Sequence, residues 1–354
     1  MAVLIYFLQF LLTNVFFGVT LALWINRFNK EQTYSLTELL IYSFGAASAV
    51  VSILLYYLFL LTPHLNPLVY FLIVVLCFAL PAFFIRKDFT LLLNVFRVFK
   101  SRLYECRTSG FALLGFTATC LGFFILSQVI ILNRPLIEHD ILEYGAQAKI
   151  FFKERYVQYV GDRFDNESGY YFVGLHGFSF IFLSVWERIM NVVVHSDKDY
   201  FFRSITTYYS LLIVLVQFYW FSKKDIVLAF IASILLFTSS GFIMTAMIYH
   251  LDTYRIFLMM MSMICMLKAI HYNDRLSILL FGIFTGLSAF VHSIGALLAV
   301  METGIFFLFI NGAFLQRLKQ TGIVILLLMI FGGIHYVLDT FWGTGWIFKD
   351  IKFY

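Results

Sequence analysis

Apolar residues run through this chain in long blocks, separated by short polar segments. The blocks fall near 3–25, 37–62, 67–85, 113–132, 202–221, 226–247, 253–271, 276–291, 294–311 and 321–338. Most approach the about 20 residues a helix needs to cross a bilayer, so each predicts a membrane-spanning helix. The pair 276–291 and 294–311 is short, which local thinning of the bilayer accommodates. One more stretch, 171–190, is apolar enough to span but is interrupted by His176, Ser179, Ser184, Glu187 and Arg188.

Charges in the connecting segments set the direction, because basic loops stay on the cytoplasmic side. Segment 86–112 carries Arg86, Lys87, Arg97, Lys100, Arg102 and Arg107 against Asp88 and Glu105, so it belongs inside. The block at 113–132 then delivers Asn133 outside. With 171–190 not crossing, Lys223 and Lys224, then Lys268 and Arg275, then Arg317 and Lys319 all fall inside. Arg27 and Lys30 do the same, while "TPHLNP" at 62–67, "YHLDT" at 249–253 and "HS" at 292–293 fall outside. If 171–190 crossed, every later basic loop would flip outward. The pattern therefore predicts an all-α polytopic membrane protein of about ten transmembrane helices. Residues 133–201 form one long extracytoplasmic loop with two helices, roughly 140–155 and 171–190, the second an amphipathic helix in the outer interface.

Composition agrees. Hydrophobic residues make up 62% of the 354, charged residues 13%, and Phe alone occurs 44 times. A soluble domain carries roughly 25% charged residues. The first block has no basic leader and no small-residue cleavage site, so it reads as a span rather than a removed signal. The net charge of +5 reflects the inner loops, which makes nucleic acid a poor partner and the lipid bilayer the expected one. Cys77, Cys120 and Cys265 lie in apolar blocks and Cys106 in the basic loop, with no C-x-x-C pair, so disulfide scaffolds and thiolate metal sites are not expected.

The unusual polar residues collect on the outer side. In "EHDILEYGAQAKIFFKERY", at 138–156, Glu138, Asp140 and Glu143 cluster beside apolar sequence. His250 and Asp252 end the 226–247 block, Arg255 lies one turn into the next, and His292 ends the 276–291 block. Ionisable residues at membrane depth are costly and point to function. Plainer readings exist for each. Asp140 can cap a helix beginning near Ile141. Glu143 can pair with Lys149 or Arg134, the two histidines can be ordinary interfacial residues, and Arg255 can reach toward headgroups. No phosphate-binding Gly loop, H-E-x-x-H or G-x-S-x-G occurs, and no ligand spacing demands a metal, although carboxylates and imidazoles converge enough to leave a divalent ion open.

The order of these elements resembles the GT-C glycosyltransferases, integral-membrane enzymes that include protein O-mannosyltransferases and lipid A aminoarabinose transferases. "DILEY" places Asp140 four residues before Tyr144, like the family's D-x-x-x-Y opening its outer loop. "YYFVGLHGFSFIFLSVWERIMN" fills the place of the interfacial helix, without its His-Pro-Pro. Arg203 in "FFRSITTYYSLLIVL" matches an Arg opening a span, and Asp252 in "MIYHLDTYRIF" an acid at a later helix end. "GIFTGLSAFVHSIG", 282–295, matches a G-x-x-x-G-hydrophobic-basic stretch, with His292 where the family has Lys or Arg. The resemblance covers about 110–340. It implies an N-terminal three-span region with its basic loop over 1–110, a GT-C-like module over 111–340 and a short outer tail over 341–354.

That resemblance implies a polyprenyl-phosphate-linked sugar donor, a lipid, glycan or protein acceptor, and chemistry on the outer face of a bacterial inner membrane. Asp140 is then the general base for an inverting transfer, with Glu143 and Asp252 orienting hydroxyls and Tyr144 and His250 near the substrate. Arg255, His292, Arg203 and Arg134 are the candidates for stabilising the leaving phosphate. No cofactor is required. A lipid-linked sugar transporter or flippase, and an O-antigen polymerase or ligase, are the competing classes.

Overall fold

A computed structural model describes residues 2–105, 107–133, 139–154, 178–196, 199–247 and 251–342. Side chains at 2–3, 98–105, 107–109, 131–132, 139–144, 154, 247 and 339–342 fall outside that description. Every regular element among the described residues is helical. In chain order they are α1 (Ala2–Phe10), α2 (Phe17–Asn26), α3 (Leu36–Leu61), α4 (Pro67–Phe84), α5 (Thr90–Glu105), α6 (Arg107–Asn133), α7 (His139–Glu154), α8 (Phe178–Val194) and α9 (Tyr200–Ser222). There follow α10 (Ile226–Thr238), α11 (Ser240–Met247), α12 (Asp252–Tyr272), α13 (Arg275–Val291), α14 (Ser293–Phe309), α15 (Phe314–Leu328) and α16 (Ile334–Trp342). Short π-helical turns, Leu11–Phe16 and Met329–Gly333, join α1 to α2 and α15 to α16.

The chain is a polytopic membrane protein. Seven described helices are long and apolar enough to cross a bilayer: Leu4–Asn26, Leu36–Leu61, Pro67–Phe84, Gly110–Ile130, Tyr200–Ser222, Asp252–Tyr272 and Phe314–Leu338. The expected block at 226–247 is instead two helices, bent by 72° at Ser239. The two short blocks are α13 and α14, 17 residues each and so about 25 Å long.

Local sequence explains where helices begin. Ser35 and Glu38 have the spacing of a capping box, and the Ser35 hydroxyl accepts from the Glu38 backbone N–H at 3.2 Å. Pro67 opens α4, where its missing N–H is not needed. Asp225 caps α10, its Oδ1 accepting from Val227 and Leu228 N–H, and Asp274 caps α13 through Ser277 N–H. Asn273, at φ +52°, closes α12 in the left-handed region that Asn tolerates.

The chain divides into two compact units. The first comprises Met1–Ala47, Val75–Glu138 and Asp197–Phe257. Its core holds Leu113, Phe116 and Phe123 from α6, Val214 and Phe218 from α9, and Ala229 and Phe237 from α10. Phe116 stacks on Phe218 at 3.8 Å between ring centroids. Arg27 bonds Asp88 at 2.6 Å and the Phe84 carbonyl at 2.9 Å, so two segments that the charge pattern assigned to one side meet.

The second unit comprises Ser48–Val74, His139–Ser196 and Leu258–Tyr354. At its centre lies α8, and here the structure departs from the expected interfacial helix. From Phe178 to Met190 every residue is buried except the half-buried Arg188, including Ser179, Ser184 and Glu187. Phe178 and Phe182 pack on Tyr56 and Phe151, and Trp186 stacks on Phe71 at 5.6 Å. Mixed polarity along the sequence suggested a wet face, but these polar side chains point into protein. Beside α8, α13 and α14 form an antiparallel hairpin in which Phe281 meets Phe306 at 5.2 Å. Gly282 and Gly286 lie against α15 and the following π turn so closely that a Cβ on Gly282 would sit 2.9 Å from Leu327 Cβ. A Cβ on Gly332 would collide with the Gly286 carbonyl oxygen. The G-x-x-x-G spacing thus serves helix packing.

Candidate functional site

The expected site residues divide between the two units. In the first, Asp252 opens α12, where a carboxylate is stabilised by the helix dipole, and it pairs with Arg255 at 2.5 Å. Arg203, in the first turn of α9, pairs with Asp199 at 3.0 Å. All four side chains are partly exposed. Thr253 ties the two helix starts together by donating to the Thr206 carbonyl at 3.1 Å, one turn beyond Arg203. The structure therefore brings Arg203, Asp252 and Arg255 to adjacent helix ends, with both cations already paired to carboxylates.

Directly beyond Arg203 the interior is polar. Ser204 donates to Gln128 Oε1 at 3.0 Å and Tyr6 to the same oxygen at 3.2 Å. The Gln128 amide nitrogen and the hydroxyls of Ser127 and Thr206 are buried with no hydrogen-bond partner among the described residues. Unpaired buried donors are costly, and such sites commonly hold water or a polar ligand. None of this cluster stood out in the sequence, where Ser, Thr and Gln scattered through apolar blocks look unremarkable.

In the second unit, Asp140, Glu143 and Tyr144 lie in the first two turns of α7. Their side chains fall outside the described residues, but their positions do not. Asp140 is inside the helix rather than ahead of it, and positions 140, 143 and 144 share one helical face. Further along α7, Gln147, Ala148 and Phe151 are buried. Arg188 of α8 reaches the Gly145 carbonyl at 3.4 Å. Arg134 and His250 lie outside the described residues, as does most of the long loop (134–138, 155–177, 197–198) and the tail from 343.

His292 has a local job. It is the single extended residue between α13 and α14, at φ −163° and ψ 151°, and its Nδ1 accepts from the Ile294 N–H at 3.0 Å. An imidazolium would forfeit the cap that starts α14. His292 was expected as a cation beside a leaving phosphate; what the turn shows is its cap on α14.

Among the buried titratable residues that escaped the sequence reading, two stand inside apolar helices. Glu302, on α14, is 2% exposed, and His335, on α16, is fully buried among Tyr56, Phe178 and Phe290. The signal for Glu302 was present, as one acid within the apolar block 294–311. Among the described residues no three His, Cys, Asp or Glu side chains converge as a metal-holding group. Comparison with protein-family models, curated proteins and solved structures finds no match, so the resemblance to the GT-C enzymes rests on motif order alone.

Proposed function

We propose that this chain is a polyprenyl-phosphate-sugar-dependent glycosyltransferase of the GT-C kind, acting on the extracytoplasmic face of a bacterial inner membrane. The observation that carries this reading is positional. The first turns of α7, α9 and α12 each hold a residue that the motif order makes part of the site: Asp140, Arg203 and Asp252. Helix starts concentrate chemistry because their free N–H groups favour anions, including carboxylates and phosphates.

In the proposed reaction Asp140 takes the proton from an acceptor hydroxyl as that oxygen attacks the anomeric carbon. The new bond forms as the bond from that carbon to the phosphate oxygen breaks, giving inversion, and polyprenyl phosphate leaves carrying the extra negative charge. Arg255, Arg203 and Arg134 are the cations suited to that charge. Asp252, by its pairing with Arg255, sets where that guanidinium stands. Glu143 and Tyr144, on the Asp140 face, orient hydroxyls of acceptor or sugar. The acceptor is a lipid, a glycan or a protein.

A second reading, a carrier or flippase for lipid-linked sugars, is favoured by two observations: the 72° break between α10 and α11 and the buried acid Glu302. Broken helices and intramembrane acids are common features of transport paths. Purified protein in liposomes, offered a panel of polyprenyl-phosphate sugars, separates the two. Release of polyprenyl phosphate from one donor, above empty liposomes, supports the transferase. Movement of an intact donor between leaflets without release supports the carrier.

A further inference from the structure

The middle of the α13–α14 hairpin holds a closed set of polar groups. Glu302 on α14 is 2% exposed. Its Oε2 is in contact with the Ser262 hydroxyl on α12, and Ser262 lies 2.7 Å from the Thr285 hydroxyl on α13. Thr285 in turn reaches the Phe281 carbonyl oxygen at 2.7 Å. Glu302 Oε1 is buried with no hydrogen-bond partner among the described residues. No Lys, Arg or His pairs with the carboxyl among the described residues. Lys268, the buried cation on α12, lies nearly two turns beyond Ser262.

Counting hydrogens decides the state of this group. Each hydroxyl has one hydrogen to give, while a carboxylate accepts at about four lone-pair sites. Were Glu302 ionised, it would receive one donor, Ser262, and its other oxygen would carry charge against an apolar wall. A buried charge so poorly paired is among the costliest arrangements in a protein, and costlier still among lipid-facing helices. Were it neutral, its own hydrogen would go to Ser262. The Ser262 hydrogen would then go to Thr285, and the Thr285 hydrogen to the Phe281 carbonyl. Every hydrogen is then used once and every contact is made. Only Oε1, now an uncharged carbonyl oxygen, lacks a donor. A sodium ion would require these oxygens to surround it, whereas Ser262 touches both of its neighbours.

We propose that Glu302 is an intramembrane proton-binding site, the head of a one-way hydrogen-bond chain running Glu302 to Ser262 to Thr285 to the Phe281 carbonyl. The proton leaves only when α12 parts from the hairpin or another base reaches the carboxyl, so proton release is tied to a change in packing at this point. The site does not depend on glycosyl transfer and suits a transferase or a carrier.

Infrared spectra of the full chain in lipid at neutral pH, compared between wild type and Glu302→Gln, test it. The expected result is a protonated-carboxyl carbonyl band in wild type that vanishes in the variant, with the carboxylate bands unchanged. Loss from the carboxylate bands instead overturns the proposal. If Glu302→Gln does not fold, wild-type protein treated with a lipid-soluble carbodiimide gives the answer. The reagent takes the acid's proton on nitrogen and its oxygen on carbon, then rearranges to a stable N-acylurea. A label on the Glu302 peptide is expected, and an unlabelled Glu302 overturns the proposal.

Discussion

Replacing Gly286 with Ala tests whether the G-x-x-x-G stretch is a packing seam. A Cβ there would lie 2.6 Å from Phe331 Cβ, 3.1 Å from the Leu327 carbonyl oxygen and 3.2 Å from Leu328 Cα. None of these is the loose end of a side chain, so relief requires moving backbone by about 1 Å to restore ordinary carbon contacts. Forcing an extra methyl into a packed seam costs about 1–3 kcal/mol. Ala gains about 0.5–1 kcal/mol over Gly in a helix interior, so the net loss is at most about 2.5 kcal/mol. Gly304 supplies the control, because a Cβ there meets nothing within 4 Å and only the gain remains. The propensity gain is common to both, so the difference between Gly286→Ala and Gly304→Ala isolates the overpacking, about 1–3 kcal/mol. Detergent-induced unfolding followed by tryptophan fluorescence measures it. Equal stability of the two variants would refute the close approach of α13 to α15.

Three further outcomes are expected from the same unfolding assay. Trp186→Ala costs about 3–5 kcal/mol if α8 is a core helix, whereas a change within about 0.5 kcal/mol would mean an exposed face. His292→Ala costs about 1 kcal/mol and His292→Asn is nearly neutral, since Asn also caps helices; transfer activity lost in the Asn variant, with stability kept, would show that His292 serves the reaction as well as the cap. Ser35→Ala costs about 1 kcal/mol through the lost cap on α3, and an unchanged midpoint would show that the Ser35–Glu38 bond contributes nothing.

The legible part of this fold was its membrane character. Blocks of apolar residues identified six of the seven long helices to within about three residues and the last, Phe314–Leu338, seven residues late at its start, because in lipid the backbone must satisfy itself within each segment. The segments holding Arg27 and Asp88, which the loop charges assign to one side, meet in a 2.6 Å contact. What failed was the environment of polar residues inside apolar segments. In α8, Ser179, Ser184 and Glu187 suggested water, yet their neighbours are protein, and only tertiary packing supplies those neighbours. The bend at Ser239 left a faint trace in "FTSSGF", where hydroxyls and a glycine interrupt the apolar block. Glu302 was visible but its partners were not, since Ser262 and Thr285 are 40 and 17 positions away along the chain. At the expected site, the sequence located helix starts at Asp140, Arg203 and Asp252 well. It did not reveal that His292 caps its own turn, because a cap depends on a backbone conformation at one residue.

The central claim is that Asp140 is a catalytic base rather than a helix-terminal charge. One measurement tests it most directly: the rate of polyprenyl phosphate release by wild type and Asp140→Asn, in the same liposomes with the same donor and acceptor, each confirmed as folded. General-base catalysis contributes about 10²–10⁴-fold, so the account predicts a loss of at least about a hundredfold with stability little changed. Equal rates in the two proteins would contradict it, leaving Asp140 to stabilise the start of α7 and no more.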